Sequence, residues 1–269
     1  MQLLPENFFL YLIRLFLYTE HMTRKSENTP ITISYSFSDP EALNRQLRRE
    51  LESLAETDFQ KFSAALVPGE MEMLGVRLPK LREIARKLAK GDWKTYLAHA
   101  SDKSMEEIML QGMTLGYARS SFQEKKPWLK RIIPKIRNWS LCDSICVSMK
   151  FPKAEAGDVW EFLQPYLQSS REYDIRFAIV MILAHFIQQE YLEKIFSIFD
   201  EINHEGYYVK MAVAWAVSVC FRNFKEETLA YLQNCRLDDW TFNKSLQKII
   251  ESRYSSKEEK ELMRRMKRR

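Results

Sequence analysis

The sequence predicts an all-α fold, an α-solenoid of stacked helical repeats, on three observations: scarce turn formers, apolar residues at helical spacing, and a pattern that recurs every 32 to 34 residues. The 269 residues include only seven glycines and nine prolines, while Leu, Ala, Lys, Glu, Met and Arg are plentiful. Strong helix formers without punctuation belong to helical proteins. The length suffices for one large domain or two small ones with a substantial core. Forty-one basic against 36 acidic residues give a net charge of +5. That excess permits a nucleic-acid surface without demanding one, so the placement of charge carries more information than its sum.

Residues 1–39 read as a leader, either disordered or preceding the true start of translation. The run Phe8 to Tyr18 is apolar but too short to span a bilayer and is interrupted by Arg14. It lacks a basic start and a small-residue cleavage site, so it makes a poor signal peptide. Met22 is the more natural beginning, with a fraying amphipathic helix as the other reading. The Ser/Thr-rich stretch 22–39 follows, and no membrane association is expected.

Residues 40–269 read as a single repeat domain. Asp39 is placed to cap a helix whose first residue is Pro40 and which runs to about Ala55. A shorter helix covers about Asp58 to Leu66, and Val67-Pro68-Gly69 breaks the chain. The next helix spans about Pro79 to Lys90, with Leu81, Ile84, Ala85 and Leu88 on one face. Beyond it, five blocks align: Met109-Leu110-Gln111-Gly112, Leu141-Cys142-Asp143-Ser144, Asp174-Ile175-Arg176-Phe177, Tyr208-Val209-Lys210-Met211 and Phe242-Asn243-Lys244-Ser245. Their third residues are polar and lie 32, 33, 34 and 34 positions apart. Amphipathic stretches at about 124–136, 155–168, 190–202 and 225–235 alternate with them. Outer amphipathic and inner apolar helices at this period are how an α-solenoid reads.

Stacking would bring Gln111, Asp143, Arg176, Lys210 and Lys244 into a polar line down one face. Either these are solvated positions near the start of each inner helix, or the line is used. Asp143 and Arg176 sit in strongly apolar runs, where a charge is costly unless paired or employed. As members of adjacent repeats they could also simply pair with each other. Trp139, four residues before Asp143, shares its face if the helix has begun. Trp215 lies more than a turn beyond Lys210. Lys244 and Lys248 are spaced for one helical face. The basic end, Met263 to Arg269, reads either as a frayed helix terminus suited to the dipole or as a tail for DNA.

Cys142, Cys146, Cys220 and Cys235 form no metal-type or CxxC spacing and read as reduced core thiols of a cytoplasmic protein. The four histidines are scattered, so no metal is expected.

Asn138-Trp139-Ser140-Leu141-Cys142-Asp143, followed by Arg176 and by Trp215 in Lys210-Met211-Ala212-Val213-Ala214-Trp215, resembles the signature of the HEAT-like DNA alkylation repair glycosylases. Leu74-Gly75-Val76-Arg77-Leu78-Pro79-Lys80-Leu81-Arg82 is similar to that family's N-terminal motif. The resemblance covers roughly residues 42–268. It implies HEAT-like repeats with a concave DNA-facing surface, and excision of N3- or N7-alkylated purines from DNA by hydrolysis of the glycosidic bond. It further implies a catalytic set of Asp143, Trp139, Trp215 and Arg176, and backbone contacts from Arg176, Lys210, Lys244 and Lys248. A helix before the Leu74-Gly75 motif would press on the duplex, and in this chain the corresponding stretch, 59–68, contributes Lys61. The expected partner is alkylated duplex DNA, bound by a monomer with no cofactor and without a deep base-flipping pocket. The alternatives are a non-catalytic DNA-binding HEAT-like paralogue and a protein-interaction solenoid.

Overall fold

A computed structural model describes residues 34–67 and 69–269. Residues 1–33, most of the expected leader, lie outside the described residues. Fourteen α-helices and no strand occur among those described, so the all-α expectation holds. The helices group into two compact units, one ending at Lys150 and the other beginning at Phe151.

In the first unit, α1 (Pro40–Ser53) begins as expected: the Asp39 side chain accepts the Ala42 N–H at 2.9 Å, with proline in the first turn. Residues 34–39, which the sequence reading placed in the leader, lie against this helix. The Tyr35 hydroxyl donates to Glu50 at 2.7 Å, and Gln46 donates to the Ser34 carbonyl at 3.1 Å. α2 (Thr57–Ala64) buries none of its residues. α3 (Leu78–Leu88) buries Leu81, Ile84, Ala85 and Leu88, the four positions marked by the periodicity. A helix absent from the sequence reading, α4 (Trp93–His99), follows; it is capped by Asp92 and buries Trp93, Tyr96 and Leu97.

α5 (Met105–Tyr117) and α6 (Phe122–Ile132) both open on capping boxes, Ser104 with Glu107 and Ser121 with Glu124. α7 (Trp139–Ser148) is capped by the Asn138 side chain on the Leu141 N–H at 2.9 Å. α3, α5 and α7 pack successively against one another, with α4 and α6 against α5. α5 is buried along nearly its whole length, its polar residues Glu106, Glu107, Gln111 and Thr114 included.

The second unit repeats the plan. α8 (Ala156–Leu167) packs on α9 (Glu172–His185), while α10 (Leu192–Glu201) buries Leu192, Ile195 and Phe199. α11 (Tyr207–Asn223), α12 (Lys225–Asn234), α13 (Asp239–Glu251) and α14 (Lys257–Met266) complete it. α9, α11 and α13 form a ladder in which starts meet starts. The Tyr173 and Tyr208 rings stack with centroids 5.7 Å apart, and Tyr207 meets Trp240 edge-on at 5.6 Å. Neighbouring inner helices therefore run parallel, which is what the 34-residue interval requires.

The basic C-terminus is neither a frayed end nor a free tail. α14 buries Met263 completely, and Arg268 donates to the carbonyls of Leu237 and Cys235 and to Asp239. All four cysteines are buried free thiols. No helix among the described residues is long and apolar enough to cross a membrane.

Candidate active site

In the first unit, the Asn138 cap starts α7 at Trp139, so Trp139 and Asp143 stand one turn apart on the same face. Both are enclosed, at 5% and 7% exposure. The Trp139 indole N–H donates to the Leu66 carbonyl at 3.2 Å. The residues just beyond α2 thereby fix the plane of a ring 73 positions further along the chain. Phe59, Leu66, Val67, Met105, Met109, Trp139 and Ser144 help to line a cavity of about 60 Å³ beside this ring. A purine needs more room than that, since even a benzene-sized cavity is about 150 Å³.

The Leu74-Gly75-Val76 motif has a structural explanation that sequence reasoning missed. Glu106, at the start of α5 and 1% exposed, turns its carboxylate onto this segment. It accepts the N–H of Leu74 at 3.0 Å, of Gly75 at 2.8 Å and of Val76 at 3.3 Å. Gly75 adopts φ +93°, and a Cβ there would stand 2.7 Å from Gln60 Cβ and 2.8 Å from the Glu56 carbonyl. Only glycine combines that backbone with so close an approach. The motif is thus a nest of N–H groups closed round a buried carboxylate, and it ties α2 to α3 and α5. The only sequence signal was the acidic pair Glu106-Glu107 at the start of a largely apolar helix.

The polar line is largely internal. Gln111 is buried, donating to the Ser101 carbonyl and Asp102 and accepting from Lys135 at 2.9 Å. In the second unit Arg176 holds the fifth position of α9, as Asp143 holds the fifth of α7. It is 1% exposed rather than turned to solvent, and donates to the Tyr208 carbonyl at 2.8 Å. One turn earlier, Glu172 accepts the Tyr208 N–H at 2.6 Å. α9 therefore satisfies both backbone polar groups of Tyr208, in the first turn of the next inner helix.

Trp215 is buried within the apolar run of α11. Lys210 is drawn to Glu205 at 2.8 Å and Asp238 at 3.7 Å, and the Glu205 hydrogen bond in particular holds its ammonium above the usual lysine range. Lys244 lies over the Trp240 ring, 5.5 Å from its centroid. Lys248 does not share that partial exposure. It is 3% exposed, with its ammonium 3.2 Å from Glu251, and burial pushes it down to about 7. Of the three lysines expected to meet phosphate, Lys248 is the one the fold encloses, because its helical face turns into the core.

An enclosed Trp–Asp pair on an inner helix of the first unit and a buried guanidinium at the corresponding position of an inner helix of the second define a helical-repeat protein with charge held in place inside an apolar scaffold. Residues 47–268 match the family described as DNA alkylation repair enzyme, and the chain belongs to that family. Its role is accordingly in the repair of DNA. No curated protein matches the sequence.

Proposed function

We propose that the protein is a monofunctional DNA glycosylase that excises purines alkylated at N3 or N7. The observation that carries this reading is the Trp139–Asp143 pair, set on one face of α7 in a chain of the alkylation-repair family. Alkylation at either nitrogen makes the base cationic and weakens its bond to the sugar. As the C1′–N bond breaks, its electron pair neutralises the base and positive charge develops on the deoxyribose. The Asp143 carboxylate stabilises that charge and positions the water that adds to C1′, taking up its proton. The resemblance to the family assigns Trp139 and Trp215 the part of offering electron-rich faces to the cationic lesion, an attraction strengthened by desolvation. Arg176 and Lys244 supply positive charge toward the backbone, Arg176 from within the fold.

A second reading, DNA binding without catalysis, is favoured by the enclosure of Trp139 and Asp143 and by the indole bond to Leu66. Base release separates the two. Methylated duplex DNA is incubated with the protein, and free 7-methylguanine and 3-methyladenine are measured for the wild type and for Asp143→Asn. The glycosylase reading expects release that falls at least a hundredfold in the variant while DNA affinity is kept. Undiminished release from Asp143→Asn overturns the mechanism, and no release from the wild type overturns the activity.

A further inference from the structure

The far ends of the inner helices in the first unit gather a second group of charges. Gly116 lets α5 and α7 meet backbone to backbone, since a Cβ there would stand 2.5 Å from the Ser148 carbonyl oxygen. The same contact joins the Lys150 N–H to the Gly116 carbonyl at 3.2 Å and sets Tyr117 beside Ser148, whose hydroxyl donates to the Tyr117 oxygen at 3.4 Å. From α3, two guanidinium groups one turn apart reach the same tyrosine. Arg86 lies over the ring, 4.9 Å from its centroid, and Arg82, half-buried, lies close enough to feel both Tyr117 and Arg86. The Lys150 ammonium stands 5.7 Å from the ring centroid.

Among the described residues none of these three cations forms an ion pair. Glu83, the carboxylate next to them on α3, is engaged by Lys80 at 4.0 Å and Lys87 at 3.9 Å. Burial lowers the Arg82 pKa, and the neighbouring Arg86 lowers it further, while Tyr117 works in the opposite direction. Cations do suit the C-terminal end of a helix. Here, however, Lys125 already serves those carbonyls, donating to Gly116 at 3.1 Å and to Lys150. The other three cations are left gathered about one aromatic side chain. A phosphate would resolve that repulsion, because guanidinium forks match its oxygens. The Tyr117 hydroxyl, accepting from Ser148, keeps its own proton to donate.

We infer that Arg82, Arg86, Tyr117 and Lys150 form an anion site that takes a phosphate group of a nucleic-acid backbone, at the opposite end of α7 from Trp139. Trp139 and Ser148 are nine positions apart on the helix, about 14 Å, so one duplex can touch both places. That the phosphate belongs to DNA rests on the repair reading above; the anion site itself does not.

The test has two arms, both on the full chain. In the first, binding of undamaged duplex is titrated between about 50 and 200 mM salt for the wild type, for Arg86→Gln/Lys150→Gln, and for Lys130→Gln/Arg131→Gln. The last pair removes two exposed cations of the outer helix α6 as a control. The site variant is expected to bind about tenfold more weakly, with a salt slope shallower by about 1.8, while the control changes little. In the second arm, thermal unfolding is followed with inorganic phosphate against chloride at equal ionic strength. Phosphate should raise the wild-type midpoint and leave that of the site variant unmoved, and Arg86→Lys/Lys150→Arg should recover the response. Phosphate stabilisation without any duplex binding would keep the anion site and overturn its nucleic-acid source. A site variant indistinguishable from the control pair in the first arm and from the wild type in the second would overturn the site.

Discussion

Glu106→Ala tests the packing argument most directly, because the carboxylate has one structural task and its partners are all backbone. It accepts three N–H groups from residues 74–76, and two of those residues, Gly75 and Val76, are themselves buried. A net hydrogen bond to a charged group contributes about 1.5–3 kcal/mol, and orphaned buried donors cost a further desolvation penalty. The three bonds share one acceptor and are not additive, and water entering the space left behind offsets part of the loss. The expected destabilisation is about 3–5 kcal/mol, a large share of the roughly 5–15 kcal/mol available to a typical domain. Glu106→Gln keeps an acceptor oxygen but sets an amide donor among donors, and should cost about 2 kcal/mol. The assay is denaturant unfolding followed by far-ultraviolet circular dichroism, with tryptophan fluorescence alongside. The loss should fall on the transition of the first unit, which contains every partner of Glu106. A change below about 1 kcal/mol for the alanine variant, or equal costs for alanine and glutamine, would refute the nest as the reason for the Leu74-Gly75-Val76 motif.

Two further outcomes follow from the geometry. The folded protein releases the Lys248 proton near pH 7, whereas an unfolded lysine holds it to about 10.4. Between those values the unfolded state binds more protons, so stability should climb with pH across that window; Lys248→Met should flatten the climb and raise stability below pH 7, as measured by unfolding at several pH values. Gly116→Ala adds a Cβ 2.5 Å from the Ser148 carbonyl oxygen. It should cost about 1–3 kcal/mol despite the better helix propensity of alanine and should weaken the phosphate response, and a neutral or stabilising result in both assays would show that α5 and α7 have freedom to part.

Much of this molecule is legible in its sequence where local chemistry decides. The Asp39-Pro40 start of α1 needed only a capping side chain and a proline, both visible within two residues. The four buried positions of α3 follow from a 3.6-residue period, and the constant interval of 32 to 34 residues anticipated inner helices that pack start to start. α4 escaped notice because seven residues carry less than two full turns of pattern, too little for periodicity to show. The docking of residues 34–39 escaped because Tyr35 finds its partner 15 positions away.

The candidate site divides along the same boundary. That Trp139 and Asp143 share a face is a matter of spacing on one helix, and sequence alone determined it. Whether a charged residue of an inner helix faces water, a carboxylate or the core depends on which neighbour packs against it, and no local rule contains that. Arg176 and Lys248 were expected to meet the DNA backbone, yet α9 engages Arg176 with the Tyr208 carbonyl and the fold encloses Lys248 beside Glu251. Glu106 and the Tyr117 cluster depend on chain segments 30 or more residues apart. Sequence by itself determined most of the helices, their period and the family; tertiary structure alone decided which charges are buried, because burial is a property of contacts between distant segments and not of the residues that make them.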